Sequence, residues 1–377
     1  MERENRYSTY FSWIRAALWG ALANWSAEQM EMLFRLNAQQ GTGALVFPRM
    51  LEDREMFAGS SNVKSQEIAA QMKSICVQTM QEHVHLQHTL EQAWTALTKA
   101  GISPVLMKGA GLAALYPEPQ RRQWGDIDLF VGKDQYHPAC AVMRDTFPNA
   151  LKFDEELDHY KHYNLIADGV SIEVHRVSAG MQHPLDARRY DRMERDGMTM
   201  STERLLLGRL EVTIPEPTFN ALFVMLHAWE HATTQGANVR QICDLTLLLH
   251  HYASRIDRSR LYSYLRRLHM IDVWQLYMWI AVHCLGLAQD EAPMYNERVA
   301  PRAEHFITDM LDGTLVPMKS DSPTPTNRFA RKWHTMRERM RNAKRIGQYS
   351  PSYARHMRME TILHGALRLF AKDRHWE

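Results

Sequence analysis

The segment Gly125-Asp-Ile-Asp-Leu-Phe-Val131 places two carboxylates two residues apart within an apolar run. Successive side chains of a β-strand point to opposite faces, so Asp126 and Asp128 project together while Ile127 and Leu129 project to the other face. Two neighbouring carboxylates repel each other, which destabilises the folded chain unless a cation lies beside them. The segment therefore predicts a rigid strand that carries a divalent-cation site, and oxygen ligands of this kind favour Mg²⁺.

A second acidic strand follows in the same region. Two strand-like runs, Tyr163–Ala167 and Val170–His175, flank an Asp-Gly pair, which is a strong signal for a tight hairpin turn. On the second run Glu173 and His175 share one face. If this run lies beside the Asp126 strand, Glu173 completes a set of three carboxylates that can bridge two metal ions. An isolated Asp-x-Asp is more often a solvated strand end, but the two acidic strands in this order favour a catalytic site.

The rest of the chain predicts helices on both sides of this region. Apolar residues at helical spacing are followed by glycine, proline or turn residues. The predicted helices are one starting at Ser26, then Val63–Lys99, His137–Thr146, Phe219–Ala232, Val239–Tyr252, Arg258–Leu287 and Arg328–Arg345. A short strand over Pro104–Met107 ends at Lys108-Gly109, and Ser320–Asn327 reads as a linker. We expect an α+β protein with regions 1–100 (helical), 101–215 (core), 216–319 (helical) and 320–377 (linker and basic tail).

Composition narrows the class of protein. With 377 residues, of which 45% are hydrophobic, the chain can bury a large core, and its net charge of +2 gives no general bias toward nucleic acid. Four scattered cysteines form no CxxC pair, which fits a reducing compartment. No apolar run approaches the ~20 residues of a membrane-spanning helix, and the N-terminus lacks the apolar stretch of a secretory signal. We therefore expect a cytoplasmic protein with no membrane partner.

With these elements in this order, the sequence resembles the uncharacterised nucleotidyltransferases of the DNA polymerase β-like superfamily, in the branch that carries Lys-Gly in place of the usual Gly-Ser. The resemblance covers roughly Ala27 to His250. The residues that carry it are Gly101–Gly109, Tyr116, Pro117, Arg122, Gly125–Val131, His162, Ile172–His175, His227 and Arg240–Leu245.

The resemblance implies a small mixed sheet of the polymerase β type with extensive N- and C-terminal helical regions. It implies transfer of a nucleoside monophosphate from an NTP, with ATP favoured, to an unidentified acceptor: a small molecule, sugar, peptide or protein. Asp126, Asp128 and Glu173 would be the catalytic residues and the ligands of Mg²⁺, or of Mn²⁺ in its place. The nucleotide-binding residues would be Lys108, Gly109, Arg122, His175, His227 and Arg240.

Several alternatives remain open at this point. The altered Lys108-Gly109 loop also suits a catalytically silent nucleotide-binding or regulatory protein. Arg122 could reach a phosphate or pair with an acidic neighbour, and Arg240 with Asp244 most simply forms an ion pair within one helix. His175 could orient a carboxylate, contact substrate or make only a structural hydrogen bond.

Two further motifs are weaker. His227-Ala-Trp-Glu-His231 matches the HxxEH pattern of zinc peptidases, which makes a zinc hydrolase a distant third hypothesis. The basic run Arg328–Arg345, which contains Trp333, could contact RNA or a phosphate-rich partner, but a solvated helix face is favoured, so a nucleic-acid partner is possible but not favoured.

Overall fold

The computed structural model describes residues 7–23, 29–53, 63–153, 157, 159–181, 184–234, 236–315 and 327–370. The predicted helix start at Ser26 and all but the last residue of the predicted linker 320–327 lie outside these residues. Within them, no helix combines the length and the apolar character needed to cross a membrane.

A five-stranded mixed sheet forms the centre of the fold. Its strands are β1 (Val105–Leu106), β2 (Asp126–Phe130), β3 (Leu151–Lys152), β4 (His162–Ala167) and β5 (Val170–His175), in the spatial order β1-β2-β5-β4-β3. Strands β2 and β5 run parallel, and the other neighbours are antiparallel. Asp128 lies opposite Glu173 in the β2–β5 register, so the two acidic strands are neighbours, as the hypothesis of a three-carboxylate site requires.

The two faces of this sheet differ in the way that the period-two pattern predicts. Ile127, Leu129, Ile172 and Val174 are fully buried on one face. Helices α4 (Val63–Lys99) and α6 (Gly132–Thr146) contact the sheet strands β2 and β5 and contact each other. The apolar face therefore holds the acidic strands in place.

The helices before the sheet and within its connections are α1 (Ser8–Trp19), α2 (Met30–Gln39), α3 (Gly43–Glu52), α4, α5 (Gly109–Ala113), α6 and α7 (Pro184–Glu194). A separate hairpin of β6 (Arg204–Leu207) and β7 (Leu210–Thr213) follows them. The C-terminal helices are α8 (Pro217–Thr234), α9 (Val239–His251), α10 (Arg258–Arg267), α11 (Ile271–His283), α12 (Ala300–Leu311), α13 (Arg328–Ile346) and α14 (Pro351–Phe370). The prediction of a small mixed sheet with helical regions on both sides is confirmed.

One predicted helix is wrong. The run Arg258–Leu287 is two helices, α10 and α11, separated by a turn at His269, which has a φ of 59°. The Met270 N–H reaches back to the Leu265 carbonyl over 2.8 Å and closes α10. A left-handed residue at this position is usually glycine, so a histidine there carries no stop signal in the sequence.

Buried apolar side chains from Tyr7 to Ala354 form one connected core. It includes the buried face of the sheet and the apolar positions of α8 and α9, for example Phe219 and Ile242. The second half of the chain is thereby packed against the sheet region. The division into four regions remains a prediction.

Candidate active site

The turn between β1 and α5 brings a lysine onto the acidic strand. Lys108 in this turn and Gly109, the first residue of α5, both have positive φ angles, 37° and 43°. A Cβ added to Gly109 would lie 3.1 Å from the Trp124 ring and 3.3 Å from the Asp126 carbonyl oxygen, so only glycine fits without a shift. A non-glycine residue in such a sparsely populated backbone conformation costs about 1–3 kcal/mol, so the surrounding packing must impose it.

The Lys108 ammonium lies between the two aspartates of β2. Its Nζ is 3.0 Å from Asp128 Oδ2 and 3.9 Å from Asp126 Oδ2. The Asp128 side chain is fully buried, whereas the Asp126 side chain is 44% exposed. Lys108 therefore neutralises a pair of carboxylates of which one is closed to solvent and one is open to it.

His175 joins the second acidic strand to the first. Its Nε2 lies 3.0 Å from Asp128 Oδ1 and 3.0 Å from Glu173 Oε2, and its Nδ1 lies 3.3 Å from the Val177 carbonyl oxygen. These three oxygens can only accept hydrogen bonds, so the ring is satisfied either as an imidazolium or with a cation at Nε2. His175 therefore orients two carboxylates, one of the three roles open from the sequence, and its contact with a nucleotide stays a prediction.

The charges of this cluster determine its protonation. Burial alone would raise the pKa of Asp128, but the Lys108 ammonium and the hydrogen bond from His175 lower it well below its usual range. The pKa of Asp126 is raised, first by the charge of Asp128 and then by burial. Burial opposes the charge on His175, yet the hydrogen bonds to Asp128 and Glu173 raise the pKa of the ring. The cluster therefore has a net negative charge, and the repulsion is seen as the raised pKa of Asp126.

His162 lies next to this cluster on β4, opposite His175 in the register. Its Nδ1 is 3.6 Å from Glu173 Oε2 and is buried without a hydrogen-bond partner in the described part of the chain. Burial lowers the pKa of His162 to about 4. One ligand atom from each of His162, Glu173 and His175 lies within 4.8 Å of the others, so these three side chains can share a metal ion.

The sequence-based interpretation gave His162 no role, although the hairpin contained the signal. Ala167 pairs with Val170 across the two-residue turn, and each step outward keeps the same register until His162 pairs with His175. A two-residue hairpin fixes this pairing, so the two imidazoles could have been placed together from the Asp-Gly turn alone.

A second buried ionic cluster links the loop before β2 to α9. Arg122 Nε is 2.7 Å from Asp244 Oδ1, and Arg122 Nη2 is 2.7 Å from Asp244 Oδ2. The Tyr116 hydroxyl donates to the same carboxylate over 2.8 Å. Arg122 thus pairs with an acidic neighbour, one of the two alternatives, and its direct contact with a nucleotide stays a prediction. The predicted ion pair of Arg240 with Asp244 is wrong, because Arg240 Nη1 instead donates to the Gln123 carbonyl oxygen over 2.5 Å.

A cavity of about 130 Å³ lies between these two clusters. Asp126 and the Lys108-Gly109 turn line one side, and the first turn of α9 lines another. The predicted site residues that share this lining are Lys108, Gly109, Arg122, Asp126, His227 and Arg240. Asp128, Glu173 and His175 lie outside the lining, although Asp128 is joined to it through Lys108.

His227 and His231 face the cavity from α8, with their rings 4.4 Å apart. Burial lowers the pKa of both rings. Glu230 is exposed and lies 3.8 Å from the Lys161 ammonium, so it does not turn toward the two histidines. Among the residues that the structure describes, the group of three ligand-type side chains close enough to share an ion is His162–Glu173–His175, and the zinc-peptidase interpretation of α8 gains no support.

Comparisons with known proteins place these observations in context. A family model described as an uncharacterised nucleotidyltransferase matches residues 26–286. No curated protein and no solved structure gives a match. The matched span contains both ionic clusters and the cavity between them.

Proposed function

Because the chain belongs to the uncharacterised nucleotidyltransferase family, we propose that it transfers a nucleoside monophosphate from a nucleoside triphosphate, ATP first among them, to an acceptor hydroxyl. The acceptor oxygen forms a bond to the α-phosphorus, the bond from that phosphorus to the β-phosphate oxygen breaks, and pyrophosphate leaves with the electron pair. The acceptor hydroxyl releases its proton to solvent water. The observation that carries the proposal is the pair Asp126 and Asp128 on β2, with Asp126 at a cavity that has a basic wall and Glu173 on the paired strand β5.

The two aspartates of β2 fit a divalent metal, because their hard carboxylate oxygens suit Mg²⁺ or Mn²⁺. His175 Nε2 lies 3.0 Å from both Asp128 Oδ1 and Glu173 Oε2, so Glu173 would join the same site only after its side chain moved. Lys108 already neutralises part of this charge, so a bound ion must compete with its ammonium. When bound, the ion would neutralise phosphate charge and lower the pKa of the attacking hydroxyl.

The chain's own residues would bind and orient the triphosphate. Lys108 is 13% exposed at the cavity edge while it contacts the aspartates, and its flexible stem could follow a phosphate once a metal displaced it from them. Gly109 keeps the backbone close to the cavity, and Arg240 adds a second cation at the first turn of α9. The phosphates would therefore lie on the side of the cavity lined by Lys108 and Arg240.

Arg122 and Asp244 would position other residues of the site rather than bind the nucleotide themselves. Their bidentate pair, with Tyr116, fixes α9 against the loop that leads into β2. Arg240 lies one helical turn before Asp244, so the pair also holds Arg240 at the cavity. His227 and His231, kept neutral by burial, would contact the base or the acceptor from α8.

A second candidate is a nucleotide-binding protein without turnover. The observation in its favour is that Lys108 lies where a metal would neutralise Asp126 and Asp128, which is what a metal-free protein on this fold would need. This candidate predicts ATP binding that does not depend on Mg²⁺ and is not followed by release of pyrophosphate.

The test measures pyrophosphate release from ATP with MgCl₂ or MnCl₂ in the presence of a panel of alcohols, sugars and hydroxyl-bearing peptides. Thermal stabilisation by ATP is recorded in parallel. We expect release with at least one acceptor, and its loss by a factor of about 10³ or more in Asp126→Asn and in Asp128→Asn. Asp145→Asn, an exposed aspartate on α6, is the matched control and should keep the activity. ATP binding without Mg²⁺ and without release across the panel would favour the second candidate instead.

A further inference from the structure

We propose that His162, Glu173 and His175 form a binding site for a divalent transition metal such as Zn²⁺, different in chemistry from the carboxylate site for Mg²⁺. The inference goes beyond the proposed function; the two sites share Glu173, and His175 also contacts Asp128. The proposed site lies where the β4–β5 hairpin opens, at the first residues of β4 and the last residues of β5.

The positions of the ligand atoms carry the proposal. Ligands that lie about 2.0 to 2.2 Å from a zinc ion are roughly 3 to 3.5 Å from each other. His175 Nε2 and Glu173 Oε2 are 3.0 Å apart, and His162 Nδ1 and Glu173 Oε2 are 3.6 Å apart. Because all three atoms lie within 4.8 Å of one another, small side-chain rotations are enough to close the set around one ion.

The strand pairing of the β4–β5 hairpin fixes the relative positions of these three side chains. His162 and His175 are directly paired across the hairpin, so their side chains project from one face of neighbouring strands. Glu173 lies two residues before His175 and shares that face. Sites built on strands hold ligands more precisely than sites on loops.

Hydrogen bonding around the trio also fits a metal site. The Nδ1 atom of His175 faces the Val177 carbonyl oxygen at 3.3 Å, which is the outer partner that a metal-bound imidazole normally has. In the part of the chain that the structure describes, the buried Nδ1 atom of His162 has no hydrogen-bond partner and is directed at Glu173. Both His162 and Glu173 are 22% exposed, so an ion can reach the site from solvent.

The donor types decide the class of ion. Two imidazole nitrogens and one carboxylate suit Zn²⁺ and related transition metals, whereas Mg²⁺ prefers oxygen ligands and water. Asp126 and Asp128, with Lys108 between them, supply the oxygen-rich alternative on the neighbouring strand. The two sites are therefore expected to sort ions by ligand chemistry.

The experiment measures Zn²⁺ binding to the full chain by calorimetry in a large excess of MgCl₂. We expect one Zn²⁺ per chain, with affinity lower by about tenfold or more in His162→Ala. His159→Ala is the matched control, because the His159 ring lies 5.3 Å from the His162 ring, in the segment just before β4, but is outside the trio. His231→Ala tests the competing pair on α8. Unchanged Zn²⁺ affinity in His162→Ala, or its loss in His231→Ala, would overturn the proposal.

A second variant guards against a general effect on folding. His162→Cys replaces one ligand by another, so Co²⁺ bound to this variant should show thiolate-to-metal charge-transfer absorption that the natural protein lacks. Absence of that band, with Co²⁺ bound, would also contradict the proposal. Asp126→Asn should keep Zn²⁺ binding while losing Mg²⁺-dependent binding of ATP. Zn²⁺ binding can therefore be observed even if no nucleotidyl transfer is found, and nucleotidyl transfer can be observed even if no Zn²⁺ binds.

Discussion

The buried charges on the two sides of the cavity are organised in different ways. On the α9 side, Arg122 and Asp244 form a bidentate pair in which both side chains are almost fully buried and each charge meets one opposite charge. On the β2 side, the carboxylates of Asp126, Asp128 and Glu173 share one ammonium and one imidazole. The charges of the Arg122–Asp244 pair cancel each other, whereas the carboxylate cluster on the β2 side has a net negative charge.

This difference indicates that the Arg122–Asp244 pair is structural and that the cluster of Asp126, Asp128 and Glu173 is suited to bind a cation. A balanced buried pair holds two elements together, and removing one partner leaves a charge stranded in the interior. An unbalanced cluster destabilises the fold by repulsion and is completed by a bound cation. The comparison can be tested by neutralising single members of each cluster, because the two clusters should then respond with opposite signs.

The largest expected effect comes from breaking the balanced pair. Arg122→Ala leaves the Asp244 carboxylate buried beside Tyr116 without its cation, so the free energy of unfolding should fall by about 3 to 5 kcal/mol. Urea denaturation measures this change. Arg121→Ala is the control, since Arg121 forms a half-exposed pair with Glu118 that should contribute less than about 1 kcal/mol. Equal losses in the two variants would remove the distinction between the clusters.

Glu194 extends the comparison to a buried carboxylate that depends on hydrogen bonds. It accepts bonds of 2.5 Å from both the backbone N–H and the hydroxyl of Ser178, and burial raises its pKa from 4.5 to about 7. Because the folded-state pKa is above the unfolded value, this group's stabilising contribution is complete below about pH 4.5 and is lost as the pH rises through about 7.

The loss should amount to roughly 3 kcal/mol for a shift of this size. The measurement is urea denaturation at about pH 5 and about pH 8, with Glu194→Gln alongside. The variant keeps an acceptor for Ser178 but cannot ionise, so its stability should fall less over this range than that of the natural protein. An identical pH dependence in both proteins would mean that Glu194 does not titrate there.

Lys108 tests the unbalanced cluster from the cationic side. In Lys108→Ala a Mg²⁺ ion no longer has to displace an ammonium that lies 3.0 Å from Asp128, so Mg²⁺ affinity without nucleotide should rise about tenfold, or about 1.4 kcal/mol. Binding of ATP should weaken in the same variant. Calorimetric titration with MgCl₂ measures the first effect, and Lys133→Ala, which removes an exposed partner of Asp191, is the control. Weaker Mg²⁺ binding in Lys108→Ala would show that the lysine supports the ion rather than competing with it.

Local rules were sufficient for the acidic strands. Period-two alternation predicted that Asp126 and Asp128 share a face, and the Asp-Gly turn predicted the hairpin that carries Glu173. Their side-by-side pairing is confirmed by the register. Such features depend on neighbours close in the chain, which a sequence displays directly.

Other features depended on distant parts of the chain. Helix spacing pointed to Arg240 as the ion-pair partner of Asp244. In the folded chain, α9 packs against the loop that leads into β2, and this brings the guanidinium of Arg122, which is distant in sequence, to Asp244 instead. The end of α10 at His269 was missed because a left-handed histidine has no compositional signal. The cavity itself arises from the packing of α8 and α9 against the sheet, which no local pattern describes.

The smallest expected effect is also the one with the opposite sign. The pKa of Asp126 is raised, mainly by the charge of Asp128, so its ionised form weakens the fold. Asp126→Asn keeps the size of the side chain and removes that repulsion. Since the side chain is 44% exposed and solvent screens the charge, the gain in unfolding free energy without metal should be only about 0.5 kcal/mol.

The matched variant on the balanced side is Asp244→Asn, which should lose stability because Arg122 is left buried without its counter-charge. Adding MgCl₂ and ATP should reverse the order of Asp126→Asn and the natural protein in urea denaturation, because only the natural protein gains stability from ion-dependent binding. If Asp126→Asn is instead destabilised without metal, the Lys108 contact is a structural ion pair, and the β2 cluster belongs in the same class as Arg122 and Asp244.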